Sequence, residues 1–347
     1  MSPATQFYVS SLSILFGINL IAVWGLDLQY GFTGIYNFAY IVFQAAGAYT
    51  TGLFALHPAA YYQANETYVG GFNLPFPLPL LAGAAAGGLL ALPLGFIGVR
   101  RLKGDYQAMA MLVLSLIATA FVNAQQNLVN GPTGISFVEK PLSTQLPLTP
   151  LGYQWAYLGL VAVITLIVFW IVRSIVSSPY GRVLRAVRDS ETAAASLGRH
   201  VNAARRTIFV LGGALAGLSG GLLMYYVTAW SPTSWLYPET FLFFTIIVVG
   251  GTANLAGNAL GTLLVPILIV EGTRFLPQIG YPGLIDSLDW VVIGLLMLGF
   301  LWFRPQGLLP ERRRKWVTFV PEGRRSLHDL LRFRQPPALP VSTRGER

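Results

Sequence analysis

WAYLGLVAVITLIVFWIVRSIV (Trp155–Val176), PYGRVLRAVRDSETAAASLGRHV (Pro179–Val201) and TIFVLGGALAGLSGGLLMYYV (Thr207–Val227) follow one another almost without a break, and their contrast decides the fold. The outer two are apolar over about the 20 residues that a helix needs to cross a bilayer. The middle one carries Arg182, Arg185, Arg188 and Arg199. An Arg-rich island between two such runs reads as a cytoplasmic loop joining two transmembrane helices.

The rest of the chain repeats that contrast. Hydrophobic residues make up 54% and charged residues 11% of the 347, and the mean hydropathy is +0.58. Such a composition belongs to a multi-spanning membrane protein rather than a soluble globular enzyme. Further apolar windows cover Phe7–Leu26, Ile35–Leu56, Leu78–Val99, Tyr106–Ala124 and Leu284–Phe303. Residues Met1–Phe7 contain no Lys or Arg, so the first window reads as a retained span rather than a signal peptide. The chain has no cysteine, which excludes disulfides and thiolate metal sites.

Basic residues orient the spans. All of the 23 Lys and Arg except Lys140 and Arg274 lie just after the third window, around the island, or from Arg304 onward. The positive-inside rule places those three regions in the cytoplasm, so the net charge of +9 is a topology signal and not a nucleic-acid footprint. The stretch Phe241–Val270 must then hold an even number of crossings. It accommodates two short helices turning at Gly250, Gly251, Asn254, Gly257 and Asn258, or one re-entrant hairpin. The expectation is an all-α, polytopic transmembrane bundle of about nine crossings, with the N-terminus outside and the C-terminus inside. Residues 1–303 form the membrane domain, 177–206 its cytoplasmic loop, and 304–347 a basic, Pro-rich, largely disordered tail with a short interfacial helix at Arg324–Phe333. His57–Pro77 and Gln125–Gln154 are the longest outer segments, either a landing surface for another protein or plain connectors.

Catalytic motifs are missing. Lys103, Lys140 and Lys315 follow Leu102, Glu139 and Arg314, so none closes a phosphate-binding loop. His57, His200 and His328 are scattered, and no paired carboxylates occur at helical spacing in the interior of a span, Asp286 and Asp289 standing at the start of the last window. The chain reads as a non-enzyme without metal or cofactor of its own. An ion-coupled carrier needs ionisable groups inside the membrane, whereas Asp27, Asp105, Glu239, Glu271, Asp286 and Asp289 all fall near window ends.

Within the island, Arg182, Arg185 and Asp189 share one helical face, and Val183, Val187 and Ala194 another. Arg185 with Asp189 and Arg188 with Glu191 have the spacing of supporting ion pairs. The small apolar face suits a protein groove better than insertion into lipid; a solvated helix whose arginines only enforce topology fits the pattern equally well.

Thr192–Gly198, TAAASLG, resembles the EAA loop with which importer permeases dock on their ATPase subunits. Several ordered motifs extend the likeness over Gly25–Pro310: YGFTGIYNFAYIVFQAAGAYTTGL (Tyr30–Leu53), LKGDYQAMAMLVLS and NGPTGI within Leu102–Gly134, Ile246–Gly261, and FRPQGLLP (Phe303–Pro310). Together they are similar to the permease subunits of branched-chain amino acid ABC importers. The acidic residue, Glu191, stands one place earlier than the general motif has it, and Asn37–Tyr40 departs from the second-span signature.

The resemblance implies a heteromeric importer of the bacterial inner membrane. Its partners are two ATP-binding subunits that hold ATP and Mg, a homologous second permease, and a soluble extracytoplasmic binding protein. It makes Arg185, Arg188, Glu191, Ala193, Ala194 and Gly198 the ATPase-coupling residues, and Asn37, Tyr40, Gly250, Gly251 and Asn254 candidates for the translocation path. The implied cargo is branched-chain or other aliphatic amino acids, with urea or short amides as the alternative.

Overall fold

Helix starts are set by capping residues. Ser2 accepts a hydrogen bond from the Thr5 amide in front of Pro3, Thr149 from Gly152 in front of Pro150, and Ser178 from Tyr180 and Gly181 in front of Pro179. In each case the hydroxyl satisfies an orphan amide and proline supplies a preset φ at the first helical position. The computed structural model describes residues 2–58, 68–99, 104–141, 149–273 and 284–311. Arg100, Arg101, Lys103, Arg274, the side chain of Asp286, and everything from Arg312 on, including Arg324–Phe333, lie outside the described residues.

The described elements are almost entirely helical: α1 (Pro3–Gln29), α2 (Tyr40–Ala55), α3 (Leu78–Leu94, continued by a π-helical turn Gly95–Val99), α4 (Asp105–Ala124), α5 (Gln126–Val129), α6 (Pro150–Ser177), α7 (Pro179–Asp189), α8 (Glu191–Ser196), α9 (Val201–Val227), α10 (Pro238–Gly250), α11 (Leu255–Thr262, continued by π-helical Leu263–Val270), α12 (Glu271–Thr273) and α13 (Leu284–Phe303). Among the described residues there is no strand, only isolated bridges joining Tyr68 to Val129 and Ile135 to Trp230. Among the described residues seven segments are long and apolar enough to cross a membrane, and α2 and Ser287–Phe303 are shorter apolar helices. The window Ile35–Leu56 begins five residues before α2, because Gly34 has φ +72° and Asn37 accepts the Ala39 amide, which keeps 30–39 a loop.

Helix α9 is the axis of the bundle and packs against α1, α2 and α3. Its glycines make this possible. A Cβ on Gly220 would collide with the Gln44 carbonyl of α2, and one on Gly217 with Gly83 and Gly87 of α3. Between apolar helices in lipid, close approach through small residues replaces the hydrophobic driving force that water provides. Outward faces are inverted relative to a soluble protein: Met109, Ile117 and Phe121 on α4, and Leu166, Ile167 and Trp170 on α6, are exposed.

Within 241–270 the chain forms a helical hairpin. Gly250 meets Gly257, and Gly261 meets Ile246, so α10 and α11 run antiparallel. Gly251 at φ +119° and Ala253 at φ +56° turn the chain, and the Asn254 side chain caps α11 through the Ala256 and Gly257 amides. This turn lies at the same end as α7, α8, the loop 30–39 and 304–311. At the opposite end Val69 bonds to Leu128 and Ile135 to Trp230. The long helices connect these two ends and alternate in direction.

Candidate functional site

Pro179–Val201 folds as two helices rather than one. Ser190, with φ −161° and ψ 109°, ends α7 and caps α8 through the Ala193 amide. The break turns the two helices to different tasks.

Helix α7 is fastened to the bundle. Gly181, Leu184 and Val187 are buried, and Gly181 sits where a Cβ would strike the Val176 carbonyl. Leu184 takes the inward position that the spacing assigned to Val183, which is only partly buried. On an adjoining face Arg185 Nε donates to Glu311 Oε1 at 2.8 Å and Arg188 Nη2 to Glu311 Oε2 at 2.9 Å. Arg188 Nη1 also donates to the Gly31 carbonyl at 2.6 Å and Nε to Asp189 at 3.1 Å, while Arg185 lies 5.2 Å over the Phe32 ring. The Arg185 hydrogen bond expected within the helix thus goes to Glu311, and Asp189 goes to Arg188. Partial burial disfavours the charged Arg188 guanidinium, but the hydrogen bonds and charges of Glu311 and Asp189 outweigh that and hold its pKa above the ordinary arginine value.

Helix α8 is held by its first residue. Glu191 accepts from Arg205 Nη1, and Arg205 Nη2 donates to Gln107 Oε1 at 2.9 Å. Arg205 is only 3% exposed. Ala194 is buried, whereas Thr192, Ala193, Ala195 and Ser196 are exposed and Leu197 is 79% exposed. Of the motif's three alanines, Ala194 therefore faces the bundle while Ala193 and Ala195 face solvent. Gly198 at φ +75° ends the helix in a Schellman turn, with Gly198 N bonded to Ala195 O and Arg199 N to Ala194 O.

The translocation-path candidates fall in two groups, each packed within this chain. Asn37 is fully buried, donates to Gln29 Oε1 at 2.8 Å and accepts the Ala39 amide; Gln29 in turn donates to the Phe209 carbonyl. Tyr40 is fully buried, and its hydroxyl is 2.7 Å from the Ala22 carbonyl and 3.3 Å from that of Gly212. Gly250, Gly251 and Asn254 form the α10–α11 turn, over which 304–311 lies. Leu308 and Leu309 amides bond to the Val249 and Gly250 carbonyls, and Asn254 Nδ2 donates to the Leu309 and Pro310 carbonyls at 3.0 and 3.2 Å. From the other side Asp27 accepts the Ala253 amide at 3.0 Å and Asn258 Nδ2 at 2.8 Å.

Sequence reasoning missed Glu311, Arg205, Gln107 and Leu197, and set Asp27 aside at a span end. An apolar Leu197 in an otherwise polar loop was the one local signal. The others act through contacts that join different elements, from 14 residues apart for Arg205 and Glu191 to 231 for Asp27 and Asn258, which spacing does not reveal.

The family described as "Branched-chain amino acid transport system / permease component" matches residues 8–301. The chain is similar to the high-affinity branched-chain amino acid transport system permease protein LivM of Escherichia coli (strain K12), 29% identical over 337 residues that cover 90% of this chain and 73% of that protein. It is similar to the probable branched-chain amino acid transport permease protein LivM of Methanocaldococcus jannaschii, 26% identical over 88% of this chain and 94% of that protein. The probable permease protein LivH of the same organism is 24% identical over 82% of this chain and 86% of that protein. No solved structure matches significantly. With an island packed as two capped helices, apolar helices facing outward, and a family match over most of its length, the chain belongs to the branched-chain amino acid transport permease family.

Proposed function

We propose that this chain is a membrane-spanning permease subunit of an ABC importer that moves branched-chain amino acids inward by alternating access. Hydrolysis takes place on two separate ATP-binding subunits, which hold the ATP and Mg. The observation that carries this reading is the division of labour in the island: α7 is tied down by Glu311 and Gly31, and α8 presents Ala193, Ala195, Ser196 and Leu197 outward. A docking element needs a rigid base and a free contact face. Small side chains let a groove wall approach closely, and one apolar side chain anchors it.

The remaining architecture follows from that reading. The island faces the cytoplasm, the N-terminus lies outside and the C-terminus inside, and the chain crosses the bacterial inner membrane nine times. Alternating helix direction supports this count, as does an α10–α11 turn at the island's end of the bundle. Residues 1–303 form the membrane domain and the tail continues beyond it. A homologous second permease completes the pathway, a pairing supported by the two distinct similar permeases of M. jannaschii, and a soluble binding protein delivers cargo from outside. Arg185, Arg188, Glu191, Ala194 and Gly198 shape the docking element; Ala193 touches the ATPase. Asn37, Tyr40, Gly250, Gly251 and Asn254 hold the helices whose tilt opens and closes the path.

The test is uptake of labelled leucine by proteoliposomes containing the chain with its operon's ATPases, second permease and binding protein. Uptake that requires ATP and the binding protein, together with no hydrolysis by the chain alone, is the expected result. Uptake by the chain alone driven by an ion gradient contradicts the proposal.

A further inference from the structure

The segment that follows α13, Arg304–Glu311, does two mechanical things at once. Its amides at Leu308 and Leu309 bond to the Val249 and Gly250 carbonyls at 2.8 and 3.0 Å. These belong to the last turn of α10, whose carbonyls have no helical partner. Asn254, across the turn, then grips the Leu309 and Pro310 carbonyls. Gly307, at φ +69°, lets the backbone lie directly on Gly251: a Cβ on Gly307 would come within 2.5 Å of the Gly251 Cα. The segment is thus bound along its length to the α10–α11 turn.

At its far end Glu311 reaches α7. One carboxylate oxygen takes Arg185 and the other takes Arg188, three residues apart on one helical face. The Glu311 side chain is 19% exposed and the two arginines 31% and 25%, so water screens these bonds less than it screens surface pairs. Charge-assisted hydrogen bonds of this kind are short, directional and among the stronger polar contacts.

We infer that Glu311 is a positioning residue through which movement of α7 reaches the α10–α11 turn. The covalent connections of the island lead only to α6 and α9. The contact of Arg188 with Gly31 leads to α1, and Asp27 links α1 to the same turn. Glu311 supplies the direct route, making α7, the strap 304–311 and the turn one rigid body. The inference rests on the docking role proposed for the island. It gives that role a direct path to the α10–α11 turn, which Arg188 otherwise reaches only by way of Gly31, α1 and Asp27.

The full importer, reconstituted in proteoliposomes, tests it with Glu311→Gln and Glu311→Asp beside wild type. Cargo taken up and ATP hydrolysed are measured on the same vesicles. Because the chain has no cysteine, spin labels at Arg182→Cys and Ala256→Cys, both exposed positions, report the separation of α7 from the turn. Coupling between sites typically corresponds to about 5–150-fold. We expect Glu311→Gln to co-purify with the ATPases yet to move ~10-fold less cargo per ATP, and Glu311→Asp to restore most of the ratio. The spin-label separation should be the same with and without ATP in wild type and should change with ATP in Glu311→Gln. An unchanged ratio and an unchanged separation in Glu311→Gln overturn the inference and leave the docking role standing. Loss of subunit co-purification in Glu311→Gln, not rescued by Glu311→Asp, also overturns it and reduces Glu311 to a folding contact. Absence of ATP-driven uptake in the wild-type complex defeats both proposals.

Discussion

Helices α7 and α8 are neighbours in one loop, yet the bundle treats them differently. The eleven residues of α7 bury Leu184 and Val187, and Arg185 and Arg188 spend their hydrogen bonds on Glu311, Asp189 and the Gly31 carbonyl. The six residues of α8 bury Ala194 and fasten Glu191 to Arg205, leaving the rest in solvent. A single continuous helix would carry one face along both segments. The break at Ser190 lets one half serve as the base and the other as the contact surface.

Substitutions break that comparison in a definite order. The largest effect on stability belongs to Ala194→Glu. Ala194 is 2% exposed, so a carboxylate there is forced into a packed site, and removal of such a group from water costs several kcal/mol. Thermal unfolding in detergent should show a clear loss. Arg188→Ala comes next. It leaves the Gly31 carbonyl and one Glu311 oxygen without their donor, at about 1–3 kcal/mol, and transport should fall with it. Gly198→Ala is milder, because an alanine at φ +75° carries about 1–2 kcal/mol of left-handed strain while a Cβ there meets nothing within 4 Å. Ala193→Glu should be smallest, within about 0.5 kcal/mol of wild type, since its side chain points to solvent. If Ala193→Glu and Ala194→Glu destabilise equally, the two-faced description of α8 is wrong.

The spans were legible because bilayer thickness imposes a length that a run of apolar residues either meets or fails. The turn in 241–270 was legible for a related reason: Gly250, Gly251, Asn254, Gly257 and Asn258 interrupt an otherwise apolar stretch, and Asn254 does cap the following helix. The split at Ser190 was less so. Serine is tolerated within helices, and the Arg188–Glu191 spacing and the Val183, Val187 and Ala194 face read straight across it. Glu311 was hidden by its neighbours, since it precedes Arg312, Arg313, Arg314 and Lys315 and reads as the start of a basic tail. Its role depends on α10, α7 and the segment after α13 meeting at one end of the bundle, which is a property of the fold and not of any local pattern. Asn37 and Tyr40 stood out through the motif they occupy, but their buried hydrogen bonds to Gln29, Ala22 and Gly212 are invisible without the packing of α1 and α9.

The contrast between the two alanines also gives the sharpest test of the central claim that the outer face of α8 is where the ATPase docks. In the cysteine-free chain, Ala193→Cys and Ala194→Cys would each be treated with a membrane-impermeant maleimide, first in the solubilised chain alone and then in the assembled complex. The account predicts rapid labelling at position 193 in the chain alone, strong protection there once the ATPase subunits are bound, and slow labelling at position 194 in both states. Equal labelling of position 193 with and without the ATPase subunits would contradict it.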